Sequence, residues 1–542
     1  MVQPQRRLKV AIIGGGISSI AQAVRLQETL GDRVEYTIYE RDTDLGGVWL
    51  NSLWKGCAVD IPIHLYCLYS ELNPAFKSKW AGRDENDIVD RKRIRQHFVF
   101  NTTFLSSEWD ALAQNHIIKL QRSTGDEFTV TADVLISATG ALNKPIIPRL
   151  PGIDTFKGEQ WHSSKWREDL RFEGKKIAVI GNGSSGIQCI PHLAALPGVQ
   201  ITQFIRSPGY FRQKDNFDYS PWKRFVFRWV PGALRVYRWW LFYEYDRAIL
   251  SRGLGTFGTA LRRSATDAVV RYMKSRAPRE YWPAIIPDYP MHCKRVAYNA
   301  GWLEALNRPN VDLTASAITA IDETGLSTAD GTHYDVDYIC WATGFEVTET
   351  GVGLNHGVKG EGGEELSRIW KAARGGYGYL GVAPPRVPNY FIVLGPNSIA
   401  MSWGYTLGHN TEFIARILKG LLDHDLSSVV VKDSAMDDYN AYLNARLQST
   451  ALALPECGPR SWYKEPTTGK LVAPAPWTAT ELWTRTRKVK WEDFKASRRV
   501  GDDKSVVVVD VKSPRSWTPW SIAVDWFASR LQRRLIGLMD DV

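Results

Sequence analysis

Three features of this 542-residue sequence predict an α/β chain of two parallel-sheet units, the second inserted into the first and carrying a helical insertion. The apolar run Leu8–Ile13 leads into Gly14, Gly16 and Ser19, then helix-like sequence, then a second apolar run, 34–39, that ends at Glu40. The pattern recurs at 176–180, followed by Gly181, Gly183 and Gly186 and by the run 199–205, which ends at Arg206. Finally, ADVLISATG closing at Gly140 is matched by VDYICWATG closing at Gly344. Strand, glycine loop, helix, strand is the βαβ opening of a Rossmann-like dinucleotide-binding domain, and here it occurs twice.

Each residue of the two loops has a physical task. Gly14 permits the tight turn, Gly16 lets backbone approach a pyrophosphate at a helix N-terminus, and Ser19 is small enough for close helix–strand packing. Gly181, Gly183 and Gly186 repeat these roles, with Ser184 opening the second helix. The strand ends differ. A carboxylate at Glu40 accepts hydrogen bonds from a ribose diol and repels a 2′-phosphate. A guanidinium at Arg206, with Ser207 beside it, pairs with that phosphate through charge-assisted bonds. The second unit is therefore expected to take NADPH rather than NADH; the bland alternative is a solvated surface arginine. The repeated Ala-Thr-Gly is read as the chain leaving the first sheet, building the second unit and returning. This gives a discontinuous first domain at 1–150 and 320–460, a second at 151–319 with a helical insertion at about 215–290, and an extension at 461–542.

Composition narrows the function classes. With 44% apolar and 23% charged residues the chain is an ordinary globular one. The net charge of +10 suits phosphates, but Lys and Arg are scattered among acids, so nucleic acid is not expected. The six cysteines include no C-x-x-C pair, which disfavours a metal cluster or a reductase dithiol and fits a reducing compartment. No metal site is expected. The stretch MVQPQRRLKV has no apolar h-region, so no secretory signal is expected, and no uncharged apolar run reaches the ~18 residues of a membrane span. The expected location is the cytoplasm, with at most peripheral membrane contact.

Between the units lies FKGEQWHSSKW, with the spacing Phe156, Gly158, His162, Trp166. It resembles the fingerprint of flavin-dependent Baeyer–Villiger monooxygenases, class B flavoproteins of the fungal type; Arg167 stands where that pattern continues with Pro. The resemblance extends over about residues 8 to 495. It implies that the first loop holds FAD, with Gly47 and Trp49 of the GG-x-W segment against the cofactor. It maps the family's active-site acid onto Asp60 of WKGCAVDIPIHLY and its essential arginine onto Arg295 of MHCKRV, beside Lys294 as a cofactor contact. Taken alone, Asp60 reads as a capping residue and Lys294–Arg295 as solvated surface. His162 and Trp166 are expected near the domain junction, without acid or base roles.

What the resemblance implies is an NADPH- and O2-dependent oxidation of a ketone to an ester or lactone through a C4a-peroxyflavin, with a bulky apolar ketone of secondary metabolism expected as partner. Arg295 would stabilise the reacting anion and Asp60 would hold Arg295. Oxygenation of an amine or thioether is the main rival, and a non-oxygenating redox sensor or scaffold is a rival of another class. The aromatic, arginine-rich stretch 221–250 has three readings: an interfacial segment, a roof over a pocket, or the packed core of a helical subdomain, the last favoured by the usual inward packing of such stripes. Past Gly501, Val524, Phe527, Leu531, Leu535 and Leu538 recur at helical spacing.

Overall fold

The computed structural model describes residues 6–513 except 69–70, 81–91, 348–352, 401, 459–460 and 501–504. The expected tail helix around Val524 to Leu538 therefore lies outside the described residues.

Strands β1 (Leu8–Ile13), β2 (Val34–Tyr39), β3 (Phe98–Val99), β7 (Val134–Ser137) and β19 (Tyr390–Ile392) form one parallel sheet in the order β19-β7-β1-β2-β3. A second parallel sheet has the order β13-β10-β9-β17-β8, from β8 (Glu159–His162), β9 (Lys176–Ile180), β10 (Gln200–Phe204), β13 (Val311–Thr314) and β17 (Tyr338–Trp341). The central strands are apolar on both faces because both faces are covered. Before its last internal strand each unit carries an antiparallel excursion. In the first unit this is β4 (Thr102–Asp110), β5 (Asn115–Arg122) and β6 (Glu127–Ala132); in the second it is β14 (Ile318–Ile321), β15 (Gly325–Thr328) and β16 (His333–Asp335).

The two units match atom for atom where the repeated motif lies. Asp133 accepts the backbone N–H of Lys9 at 2.8 Å, and Asp337 accepts that of Lys176 at 2.8 Å. Gly14 and Gly181 both have positive φ, 108° and 114°. A Cβ at Gly14 would meet the Ala138 carbonyl oxygen at 2.7 Å, and one at Gly181 the Ala342 oxygen at 2.5 Å. Each Ala-Thr-Gly is thus the turn pressed against its own glycine loop.

This corrects the expected domain boundary. The second Ala-Thr-Gly closes the second sheet, because β17 pairs with both β8 and β9. Residues 320–341 belong to the second unit, and the chain rejoins the first sheet only as β19. Nor is 461–513 a separate extension. Strands β21 (Phe494–Val500) and β22 (Ser505–Val509) continue a sheet begun by β20 (Ser428–Val431), and Trp477 and Trp491 share one core with Leu8 and Phe413.

The insertion is helical, as expected, over Pro221–Trp229, Ala233–Ile249 and Thr256–Arg276. Its aromatics divide: Phe227 and Tyr237 pack inward with Tyr219, whereas the tryptophans face out. Trp222 and Trp239 are 71% and 70% exposed, and Trp229, Trp240 and Tyr243 are exposed beside them. The second helix is apolar on two sides. Leu234, Leu241 and Ile249 face inward, while Val236, Trp239, Trp240 and Tyr243, at i, i+3, i+4 and i+7, face out.

Beneath this hairpin, His64 is fully buried among the rings of Phe76, Tyr219, Phe227 and Tyr237. Neither of its nitrogens has a hydrogen-bond partner among the described residues. Burial, with Arg238 and Lys223 nearby, lowers its pKa to about 3. The unfolded ring takes up a proton near its ordinary 6.5, whereas the folded one resists until about 3. Protonation therefore favours the unfolded chain, and stability falls as pH drops below 6.5. His64→Phe is expected to remove about 2 kcal/mol of destabilisation at pH 5 and to shift the acid-unfolding midpoint downward, with little change at pH 8. Fluorescence-monitored unfolding across pH checks this; parallel pH profiles for the two proteins would contradict it.

Candidate active site

The first glycine loop opens the helix Ile17–Leu30, whose N-cap is Gly16 with no side-chain cap; the second opens Ser184–Leu193, whose N-cap is Gly183, also without one. Leading N–H groups left uncapped are the donors a pyrophosphate needs. A Cβ at Gly183 would meet nothing within 4 Å, so the loop is open to an approaching group. Ser19 Oγ donates to the Gly16 carbonyl at 2.8 Å and packs inward. Gly47 lies on Gly16, where an added Cβ would stand 3.0 Å from the Gly16 Cα. Glu40 sits at the end of β2, buried, with its carboxylate accepting the N–H groups of Gly15 and Asp42. Both loops fit dinucleotides.

Past β10, Arg206 is exposed and Ser207 is clamped from two sides. Its carbonyl accepts Asn182 Nδ2 at 3.0 Å, and its hydroxyl accepts Lys294 Nζ at 3.1 Å. Lys294 thus comes from a distant part of the chain to the serine that follows Arg206, a pairing of residues suited to a phosphate monoester.

The stretch around Lys294 is the junction of the site. His292 Nε2 and Ser251 Oγ are 2.8 Å apart, Cys293 is disulfide-bonded to Cys457, Lys294 reaches Ser207, and the Arg295 guanidinium donates to the Asp60 carboxylate. Consecutive side chains therefore point into different units. Asp60 raises the Arg295 pKa above its already high value, so the guanidinium stays charged. The disulfide also removes the cysteine argument for a reducing compartment. Trp49 Nε1 donates to Tyr66 OH at 3.0 Å, packing the GG-x-W segment onto the loop after Asp60.

Asp60 and Arg295 line a cavity of about 160 Å³ together with Arg212, Tyr245, Arg252 and Tyr463. The sequence had singled out none of the last four. Tyr463 comes from the supposed C-terminal extension and Tyr245 from the helical insertion, so only the closed fold brings them to Arg295.

The fingerprint residues lie outside that cavity. A Cβ at Gly158 would meet the Asp337 carbonyl oxygen at 2.2 Å and the Phe156 ring at 2.6 Å, so glycine is required there. His162 ends β8, buried, with Nε2 3.0 Å from the Gly344 carbonyl oxygen and Nδ1 accepting the Ser164 N–H at 3.1 Å. That pattern puts its proton on Nε2, and burial lowers its pKa, so the ring is neutral. Trp166 packs against Trp161 and Phe172, and against Trp54 of the first unit with ring centres 6.3 Å apart. Arg167, in place of proline, forks onto Asp169 and also reaches Glu159 at 2.9 Å.

Residues 8–217 match the family described as pyridine nucleotide-disulphide oxidoreductase. An FAD-binding monooxygenase of Aspergillus niger, ktnD, is 30% identical over 93% of this chain and 85% of that protein. A Baeyer–Villiger monooxygenase of Pseudomonas aeruginosa is 28% identical over 86% of the chain and 87% of its own length. The chain belongs to the Baeyer–Villiger monooxygenase family. Solved structures agree on the fold of this Baeyer–Villiger family member. Cyclohexanone monooxygenase from Rhodococcus sp. Phi1, bound to NADP+, superimposes with TM-score 0.77 at 20% identity, covering 91% of this chain and 99% of that one. OTEMO, in complex with FAD and NADP, superimposes with TM-score 0.75 at 24% identity, covering 91% and 100%. In this family member the fingerprint residues pack between the two units and do not line the cavity beside Arg295.

Proposed function

We propose that the protein is an FAD-containing, NADPH-dependent monooxygenase that inserts one oxygen atom of O2 beside a ketone carbonyl, giving an ester or lactone. The observation that carries this reading is the Asp60–Arg295 pair, set in the wall of a cavity, in a chain that also holds two dinucleotide loops. In this reading Gly14, Gly16, Ser19, Glu40, Gly47 and Trp49 hold FAD, and Gly181, Gly183, Ser184, Gly186, Arg206, Ser207 and Lys294 hold NADPH. Held there, the flavin would supply the activation of O2 and the nicotinamide the reducing equivalents. Arg295 presents a fixed positive charge to the oxygen that must react as an anion and to the ketone oxygen as charge develops on it. Asp60 aims that guanidinium and keeps it from swinging away. Trp403, Trp462 and Tyr463 line the chamber with aromatic surface.

The test is turnover by the holoenzyme with NADPH, O2 and a panel of ketones, thioethers and amines. Esters from ketones support the reading. Sulfoxides or N-oxides with no ester would move the protein to heteroatom oxygenation, and no NADPH consumption in air would make it a non-oxygenating binder.

Among the described residues no helix is long and apolar enough to cross a membrane. The outward face of the insertion carries Trp222, Trp229, Trp239 and Trp240 with Arg224, Arg228 and Arg235, all exposed, a mixture suited to peripheral contact with an anionic lipid surface. Co-sedimentation with phosphatidylserine vesicles, reduced about tenfold by Trp239→Ser with Trp240→Ser, is the expected result. Equal recovery with and without vesicles would remove this contact.

A further inference from the structure

The chamber beside Arg295 contains more positive charge than the proposed reaction uses. Its charged walls are Arg212, Arg252, Lys294 and Arg295 against a single acid, Asp60. Asp60 is engaged by Arg295, and Lys294 is turned to Ser207. That leaves Arg212 and Arg252. Among the described residues neither forms an ion pair with a carboxylate. Arg212 Nη2 stands 3.7 Å from the Met291 sulfur, a weak acceptor, and Arg252 Nη1 reaches the Ala400 carbonyl at a long 3.4 Å.

We propose that Arg212 and Arg252 form an anion subsite, so that the substrate is a ketone carrying a carboxylate group on an apolar, largely aromatic skeleton. The inference rests on the reaction proposed above and specifies its substrate class.

The argument is one of charge balance. Taking a guanidinium from water into a protein interior costs several kcal/mol unless a counter-charge is supplied. Burial, and the mutual repulsion of these two groups, lower the Arg252 pKa. His292, the remaining titratable nitrogen of the wall, offers no compensation. Burial first, then Arg252, Arg212 and Arg262, hold its pKa well below the ordinary value, so it is neutral. A carboxylate brought in by the substrate supplies the missing charge and fits the planar fork of arginine. The rest of the wall, including Tyr245, Ile249, Leu452 and Trp462, offers rings and aliphatic surface for the skeleton. A phosphate of the nicotinamide cofactor is the competing anion, but Arg206, Ser207 and Lys294 already form a site for one outside the β10 strand.

The test compares 4-phenylbutan-2-one with its para-carboxylate, 4-(3-oxobutyl)benzoate, on the holoenzyme with NADP+ bound. Isothermal titration is expected to give about 30-fold tighter binding of the carboxylate. Raising the salt concentration should weaken the carboxylate and leave the neutral ketone unaffected. Arg212→Met with Arg252→Met should bring the carboxylate close to the neutral ketone's affinity. Equal binding of the two ketones by the unaltered protein overturns the subsite without recourse to any variant. Loss of NADP+ affinity in the double variant, with the carboxylate preference intact, would assign the arginines to the nucleotide and also overturn it. Turnover separates the two readings. A carboxylate preference in binding with no ester from either ketone would refute the reaction and leave the subsite standing. Ester formed from both ketones with equal kcat/KM would refute the subsite alone.

Discussion

Replacing Arg295 by alanine is expected to lower ester formation by about 10³-fold while NADPH is still oxidised and O2 still consumed. The two loops that hold the nucleotides do not depend on Arg295, so electron delivery survives. What is lost is a permanent positive charge at the chamber wall, facing an oxygen that must react as an anion. Oxygen uptake should then end in hydrogen peroxide, measured by its sensitivity to catalase, with ester quantified in the same samples. Arg295→Lys keeps the charge but loses the fork that grips Asp60, and an intermediate loss of about 10–10²-fold is expected. Asp60→Asn should resemble the lysine variant, because it frees the guanidinium without removing it. An alanine variant that retains full ester yield would show that another group stabilises the anion.

The second large effect concerns the nucleotide. Arg206→Ala is expected to raise the KM for NADPH by about 10²-fold and to leave that for NADH nearly unchanged, since the 2′-phosphate is the sole difference between them. Lys294, held on the other side of Ser207, should preserve part of the preference. Removing both cations should therefore bring the two cofactors within a factor of a few of each other. Arg206→Glu copies the strand end of the first unit, where Glu40 stands, and should invert the preference. Initial-rate measurements with both cofactors decide the matter; an unaltered NADPH/NADH ratio in the alanine variant would return Arg206 to the solvated surface.

The sequence made the two βαβ openings legible because their signals are local. A strand, a glycine at positive φ, a helix and a charged strand end all fall within a few tens of residues. The pairing of Asp60 with Arg295 came from resemblance, and the structure places the two in contact. Strand membership was harder. The second Ala-Thr-Gly looks like a return to the first sheet, since the same nine-residue pattern closes each unit and carries no mark of which one. Only the pairing of Tyr338–Trp341 with Lys176–Ile180 assigns it. The inward-packing rule held for Phe227 and Tyr237 and failed for the tryptophans, because the second helix of the insertion is apolar on two opposite faces and a stripe of Trp does not reveal which side is covered. Arg212, Arg252 and Tyr463 were invisible for a different reason. Each is an ordinary residue in its own neighbourhood, and they become a chamber only when the insertion, the second unit and the late segment close together. The Cys293–Cys457 bond, whose partners are 164 positions apart, is of the same kind.

The chain passes between the two sheets twice, and the passages run side by side. Ile146 N–H donates to the Gly344 carbonyl and Glu346 N–H to that of Lys144, so the two form a short antiparallel ribbon, with His162 pinned to the same Gly344 oxygen. A ribbon of this sort is a hinge pin. Sliding one unit past the other would break its hydrogen bonds, whereas turning about its length spares them, so one rotational degree of freedom is the inexpensive one. The covalent stay between Cys293 and Cys457 would limit the arc of that rotation. Any such turn would carry Arg295, two residues from the link, along with it.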